Sequence, residues 1–258
     1  MFRKVAQWLM FPGPTHASLR EEFDFSCPEA TRTGRVIFYS HGNAIGLDVI
    51  EDQLRQMATW LQARVVAYEY PGYEEGRGST REQVNQAALD RLRSLIDDEG
   101  CAPERIVLMG RSIGTGPTAW LAAHPDFSEM QFASIVLWSP FSSINALGKD
   151  LLRNMWHNPR VPCWAKALFN PVVAVAACHW TMIGSQYDSA SELAKVRPGT
   201  PIMYIHGGMD AVIPCTHTER LRLTRAGRVH SQQRATHNGF DESSVLNDIL
   251  LFLLDQVD

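Results

Sequence analysis

The chain has 258 residues, enough for one large domain with a substantial core. Hydrophobic residues make up 45% and charged residues 20%, the profile of a globular protein and not of a disordered chain. A net charge of −4 with no long run of Lys and Arg argues against a nucleic-acid partner, and no apolar stretch reaches the roughly 18 residues needed to span a bilayer.

Residues 1–34 form an N-terminal segment with two readings. In MFRKVAQWLMF, Arg3 and Lys4 precede a short apolar run broken by Gln7, and no A-x-A cleavage site follows, which disfavours a signal peptide. The segment is expected either to pack on the domain or to act as a peripheral membrane anchor through Phe2, Trp8, Leu9 and Phe11. The five cysteines are scattered without CxxC spacing, which suits free thiols in a reducing, cytoplasmic setting.

From residue 35 to 258, apolar β-rich runs alternate with helix-period segments. This is the sign of an α/β domain with a mostly parallel sheet covered on both faces. Strands are expected at Arg35–Ser40, Val65–Tyr70, Ile106–Met109, Ser134–Trp138, Pro201–Ile205 and Val229–Arg234. Ile50, Leu54, Met57 and Leu61 recur at helical spacing. Ser79 followed by Glu82 reads as a capping box, Val84, Ala88, Leu92 and Ile96 as the stripe behind it, and Gly100 as its stop. A last helix is expected over Asp241–Leu254. Residues 142–197 interrupt the alternation as a lid or cap insertion. Its Trp156, Trp164, Phe169 and Trp180 either cover the core or line an acyl pocket.

The chemistry concentrates at the ends of the expected strands. Gly110-Arg111-Ser112-Ile113-Gly114 matches G-x-S-x-G, follows the run RIVLMG and precedes a plausible helix. That strand–turn–helix setting is the one a nucleophile elbow requires, because the strained serine backbone leaves no room for side chains two residues away. His41-Gly42-Asn43-Ala44 follows the strand VIFYS and is placed to supply one backbone N–H to an oxyanion. Asn43 is the expected donor, with Ala44 as the alternative, and Ile113, after the nucleophile, is the other.

Asp210, in HGGMD after the strand PIMYI, and His237, in THNG after the last strand, complete a Ser–Asp–His order. His230 is the rival base but falls inside a strand, while His41 and His206 read as structural. Gly114–Ala119 formally fits a dinucleotide fingerprint, but the elbow separates it from the strand, so no cofactor is expected. No cluster has metal-ligand spacing, so no metal is expected either.

The stretches FYSHGNA, YEYPGY, GRSIGTGPTA, SPFSS, IHGGMDAVIPCTH and THN together resemble the serine hydrolases called alpha/beta hydrolase domain-containing protein 17, which are depalmitoylases. Bem46-like and serine-aminopeptidase-like hydrolases share much of the pattern. The resemblance implies an α/β-hydrolase fold, Ser112 as nucleophile with Asp210 and His237, and an S-acylated protein as substrate. Two departures stand out. The first cysteine is Cys27, where the group has an acylated N-terminal cysteine cluster, and Gly72-Tyr73-Glu74 replaces the group's G-Y-G. A carboxylesterase or lysophospholipase with the same triad is the main alternative. A serine aminopeptidase would need a cap carboxylate, for which Asp150 and Asp188 are available. A binding protein that keeps the fold without chemistry is the remaining one.

Overall fold

The runs of Val, Ile, Leu and Tyr pair into a single seven-stranded sheet. The computed structural model describes residues 13–14, 17–27, 33–157 and 187–256. Its strands are β1 (Glu22–Ser26), β2 (Val36–Ser40), β3 (Arg64–Tyr68), β4 (Ile106–Arg111), β5 (Ser134–Trp138), β6 (Ile202–Gly207) and β7 (Arg228–Gln232), in spatial order β1-β3-β2-β4-β5-β6-β7. Among the described strands only β1 runs antiparallel; the register of the others is parallel throughout, for example Val36↔Ile106 and Val107↔Ser134.

Side chains alternate across each strand, so one sequence run feeds two cores. On β2, Val36 and Phe38 face one side while Ile37 and Tyr39 face the other. The first side is covered by α2 (Arg81–Arg93), α3 (Thr115–Ala122), α5 (Ser189–Lys195) and α6 (Thr216–Thr224), through residues such as Val84, Leu121, Leu193 and Leu221. The second is covered by α1 (Glu51–Leu61) and α7 (Glu242–Leu254), through Leu54, Leu61, Val245 and Ile249. A further described helix, α4 (Ile144–His157), follows β5 and buries Ile144 at its start in the first core. No described helix is long and apolar enough to cross a membrane.

Several local expectations shift. The capping box sits one residue later than read: Thr80 accepts the N–H of Gln83, whose side chain returns to the Thr80 N–H, and Ser79 is buried beneath it. A Gln serves at N3 as well as a Glu does. The strand expected at Val65–Tyr70 ends at Tyr68, and the last one runs over Arg228–Gln232. The segment 1–34 contributes β1, whose five residues alternate apolar and polar as EFDFS. The shortness of that run and its two acidic residues hid it. The anchor residues Phe2, Trp8, Leu9 and Phe11 lie outside the described residues.

The insertion 142–197 divides. Its end is an ordinary crossover helix: α5, with Leu193 buried in the core and Asp188 as its cap, returns the chain to β6. Trp156 falls on α4, and Trp164, Phe169 and Trp180 lie outside the described residues.

Candidate active site

Parallel strands deliver their C-terminal ends to one edge, and ligands of open α/β sheets bind there. Ser112, Asp210 and His237 all arrive at that edge. Ser112 follows β4 directly, at φ +55°, a left-handed conformation that costs a non-glycine residue about 1–3 kcal/mol. The chain turns through Ser112–Gly114 into α3. A side chain at Gly114 would strike the carbonyls of Ser40 and His41, and one at Gly110 would strike the Gly114 carbonyl and Thr118. The elbow can close only where both positions lack Cβ. Two hydroxyls then fix it: Thr115 donates to the Ser112 carbonyl at 2.7 Å and Thr118 to the Gly114 carbonyl at 2.8 Å. At Gly116, farther into α3, a Cβ would collide with the Tyr187 ring, so the small residues of the formal fingerprint serve close packing.

Asp210 sits in the turn after β6, its side chain fully shielded. Its Oδ1 accepts the N–H groups of Val212 and Ile213 at 2.9 and 2.8 Å. Its Oδ2 faces His237 Nδ1 at 2.7 Å. Burial works against its charge, but the His237 hydrogen bond, the Ile213 N–H and nearby His206 outweigh burial and hold the carboxyl below its ordinary range. A carboxylate only accepts, so His237 carries its proton on Nδ1 and presents Nε2 as acceptor. Ser112 Oγ lies 2.9 Å from that nitrogen. The sequence order Ser112, Asp210, His237 thus becomes one continuous hydrogen-bonded line.

The loop after β2 brings Asn43 and Ala44 to the same edge, both exposed, with Ala44 at φ +56°. The Ala44 N–H meets Asn43 Oδ1 at 3.0 Å and Tyr73 Oη at 3.3 Å. Ile113 is the second residue of the turn that leads into α3, where backbone N–H groups have no acceptor within the helix.

Four other described histidines are pinned in the framework. His41 is buried, with Nδ1 donating to the Gly42 carbonyl at 2.8 Å and Nε2 3.0 Å from Glu69. His206 donates from Nε2 to the Ile213 carbonyl and accepts the Thr218 hydroxyl at Nδ1. His217 accepts both the N–H and the hydroxyl of Ser142, and His230, on β7, pairs with Asp248 of α7. Neither cap carboxylate is at liberty. Asp150 binds Arg220 at 2.6 Å, and Asp188 receives the N–H and hydroxyl of Ser191. Among the described residues no group of three His, Cys, Asp or Glu could hold a metal ion. Sequence reasoning missed Glu69, Tyr70 and Tyr73, which grip the Asn43 loop. Their stretch YEYPGY was visible, but its contacts span about 30 residues of chain.

This chain is similar over most of its length to known hydrolase-fold proteins. It is 28% identical over 182 residues to alpha/beta hydrolase domain-containing protein 17C of Mus musculus, a match covering 70% of this chain and 47% of that protein. It is 25% identical over 192 residues to alpha/beta hydrolase domain-containing protein 17B of Xenopus laevis, covering 74% and 54%. The chain spans about half the length of the curated relatives it matches. No family model matches it. Among solved structures, an esterase from the bacterial hormone-sensitive lipase family superposes with a TM-score of 0.66 at 20% identity, covering 99% of this chain and 91% of that one. A monoacylglycerol lipase of Paleococcus ferrophilus gives 0.59 at 17% identity, covering 91% and 98%. The fold is the α/β-hydrolase fold.

Proposed function

From an α/β-hydrolase fold that resembles the domain-containing protein 17 group, we propose that this chain is a serine hydrolase that forms an acyl-enzyme at Ser112. One observation carries the reading: the Asp210–His237–Ser112 line, with both hydrogen bonds under 3 Å and the serine on a strained turn at a helix start. His237 Nε2 takes the Ser112 proton as Oγ attacks the acyl carbonyl. The carbonyl oxygen becomes an oxyanion held by the backbone N–H groups of Ile113 and Asn43. His237 then gives its proton to the leaving group, and water repeats the sequence to release the acid. Asp210 keeps the tautomer and stabilises the imidazolium.

The substrate we propose is a fatty acyl thioester on an S-acylated protein, as the resemblance implies. The triad itself treats thiol, alcohol and amine leaving groups alike. A carboxylesterase or lysophospholipase therefore remains the second reading, and the esterase and lipase shapes of the structural neighbours favour it. The aminopeptidase reading loses support, because Asp150 and Asp188 are both engaged in the framework. The proposed ligands are an acylated protein or a lipid ester; contact with a membrane surface through the N-terminus and a cytoplasmic setting are further parts of the proposal.

The test is hydrolysis of an S-palmitoyl peptide beside its oxygen-ester analogue. Preference for the thioester supports the depalmitoylase reading, and equal or reversed preference favours the esterase.

A further inference from the structure

The strip Tyr68–Tyr73 holds the loop Ser40–Leu47 almost residue by residue. Tyr68 Oη lies 2.9 Å from Ser40 Oγ. Glu69 accepts the Leu47 N–H at 2.8 Å with one oxygen and faces His41 Nε2 at 3.0 Å with the other. Tyr70 donates its hydroxyl to the His41 carbonyl at 2.6 Å. Tyr73 donates to Asn43 Oδ1 at 3.0 Å and accepts the Ala44 N–H at 3.3 Å. The rings stack as they reach across: His41 on Tyr70 at 3.8 Å, and Tyr70 edge-on to Tyr73 at 5.4 Å.

Tyr73 is the member that touches the tip. The residue is fully buried, yet its hydroxyl meets Asn43 and Ala44, which are exposed at the edge that carries Ser112. Its backbone is fixed as well, since its carbonyl accepts the Ser18 N–H at 2.9 Å and its N–H donates to Tyr70. The tip is strained, with Ala44 at φ +56°, and its N–H already has two acceptors, Asn43 Oδ1 and Tyr73 Oη.

We propose that Tyr73 is a positioning residue for the oxyanion pocket: its hydroxyl holds the Asn43 side chain and the Ala44 N–H, and so fixes the loop tip at the edge that carries Ser112. The proposal rests on the serine hydrolase reading. Losing a whole oxyanion donor costs about 10²–10³ in kcat, so misaiming one by removing a hydroxyl should cost about 10-fold. The effect belongs to kcat and leaves KM alone, because the interaction matures as charge develops on the oxygen.

The experiment compares wild type, Tyr73→Phe, Asn43→Ala and the double variant on a p-nitrophenyl acyl ester. Binding of an alkyl trifluoromethyl ketone is measured in parallel, since its hemiketal oxyanion would fill the same pocket. Tyr73→Phe should lower kcat about 10-fold, weaken the ketone by the same factor, and leave KM and the melting temperature in place. Adding it to Asn43→Ala should cost less than it does alone, because part of the hydroxyl's hold on the tip runs through that side chain. If Tyr73→Phe fails to fold, Asn43→Ala alone should show the same split between kcat and KM. An unchanged kcat, additive losses in the double variant, or a joint change of kcat, KM and melting temperature overturns the proposal. If wild-type Ser112 takes up no fluorophosphonate, the hydrolase reading falls and this one with it. If wild type is labelled and active but Tyr73→Phe matches it, only the role of Tyr73 falls.

Discussion

Asp210 Oδ2 lies 2.7 Å from His237 Nδ1, and no part of the carboxyl side chain reaches solvent. The pair sets which nitrogen of His237 is bare. Asp210→Asn keeps the size but can offer its amide N–H₂ to Nδ1, which turns the proton toward Ser112 and removes the base. Turnover should fall by about 10³–10⁴ while the melting temperature moves little. Steady-state kinetics with a chromogenic ester measure it. A loss below tenfold would show that Asp210 does not orient the base.

His217 makes acid stability predictable. Burial is the main reason its pKa is depressed, to about 4 from the ordinary 6.5, with the Arg220 charge adding to it and Asp150 opposing. Between those values the unfolded chain binds a proton that the folded chain does not. Unfolding is therefore favoured as pH falls through that window, and the stability fully present above pH 6.5 erodes toward pH 4. For this one group the loss is roughly 3 kcal/mol over the window. His206 shifts in the same direction, again through burial. Urea melts at pH 7, 6 and 5 should show declining stability, with a shallower slope in His217→Gln. Equal stability at pH 7 and 5 would contradict the assignment.

His41 Nε2 and a Glu69 carboxylate oxygen face each other at 3.0 Å, their side chains 0% and 3% exposed. Burial opposes the charge on Glu69, and His41 with the Leu47 N–H outweighs burial and holds the carboxyl below its ordinary range. Glu69→Ala strands the imidazole and frees the Leu47 and Tyr70 N–H groups together. With two buried N–H groups left unsatisfied, the fold should lose about 2–5 kcal/mol, read by denaturant unfolding. A cost under 1 kcal/mol would mean that water replaces the carboxylate without penalty.

Much of the architecture was legible because its cause is local. Val, Ile and Leu runs at 36–40, 106–111 and 134–138 are buried on both faces, so they read as continuous apolar strands. The elbow was legible because steric demand writes glycine at 110 and 114, and Asp210 and His237 because chain order is set by strand order. What stayed hidden is either short or distant. EFDFS is an edge strand of five residues with charges on its outer side. Helix α5 has seven residues and one core leucine, too few for a periodic signal. The grip of Tyr73 on Asn43 joins residues 30 apart through a hydroxyl, and no periodicity encodes such a contact.

Gly114→Ala tests the steric argument for the elbow. The new methyl group meets two backbone carbonyls, Ser40 and His41, that have no room to retreat between β2 and α3. Overpacking of this kind costs about 1–3 kcal/mol or more. Thermal unfolding should show that loss along with reduced labelling of Ser112. A variant as stable and as reactive as wild type would show that the turn is looser than its contacts indicate.

An activated Ser112 reacts quickly with electrophiles that leave ordinary serines untouched. The most direct measurement of that reactivity is mass spectrometry of the chain after brief treatment with a fluorophosphonate, on wild type, Ser112→Ala and His237→Ala. One adduct is expected, on the peptide containing Ser112, absent in Ser112→Ala and slowed by orders of magnitude in His237→Ala. An adduct on another serine, or equal labelling with and without His237, would contradict it.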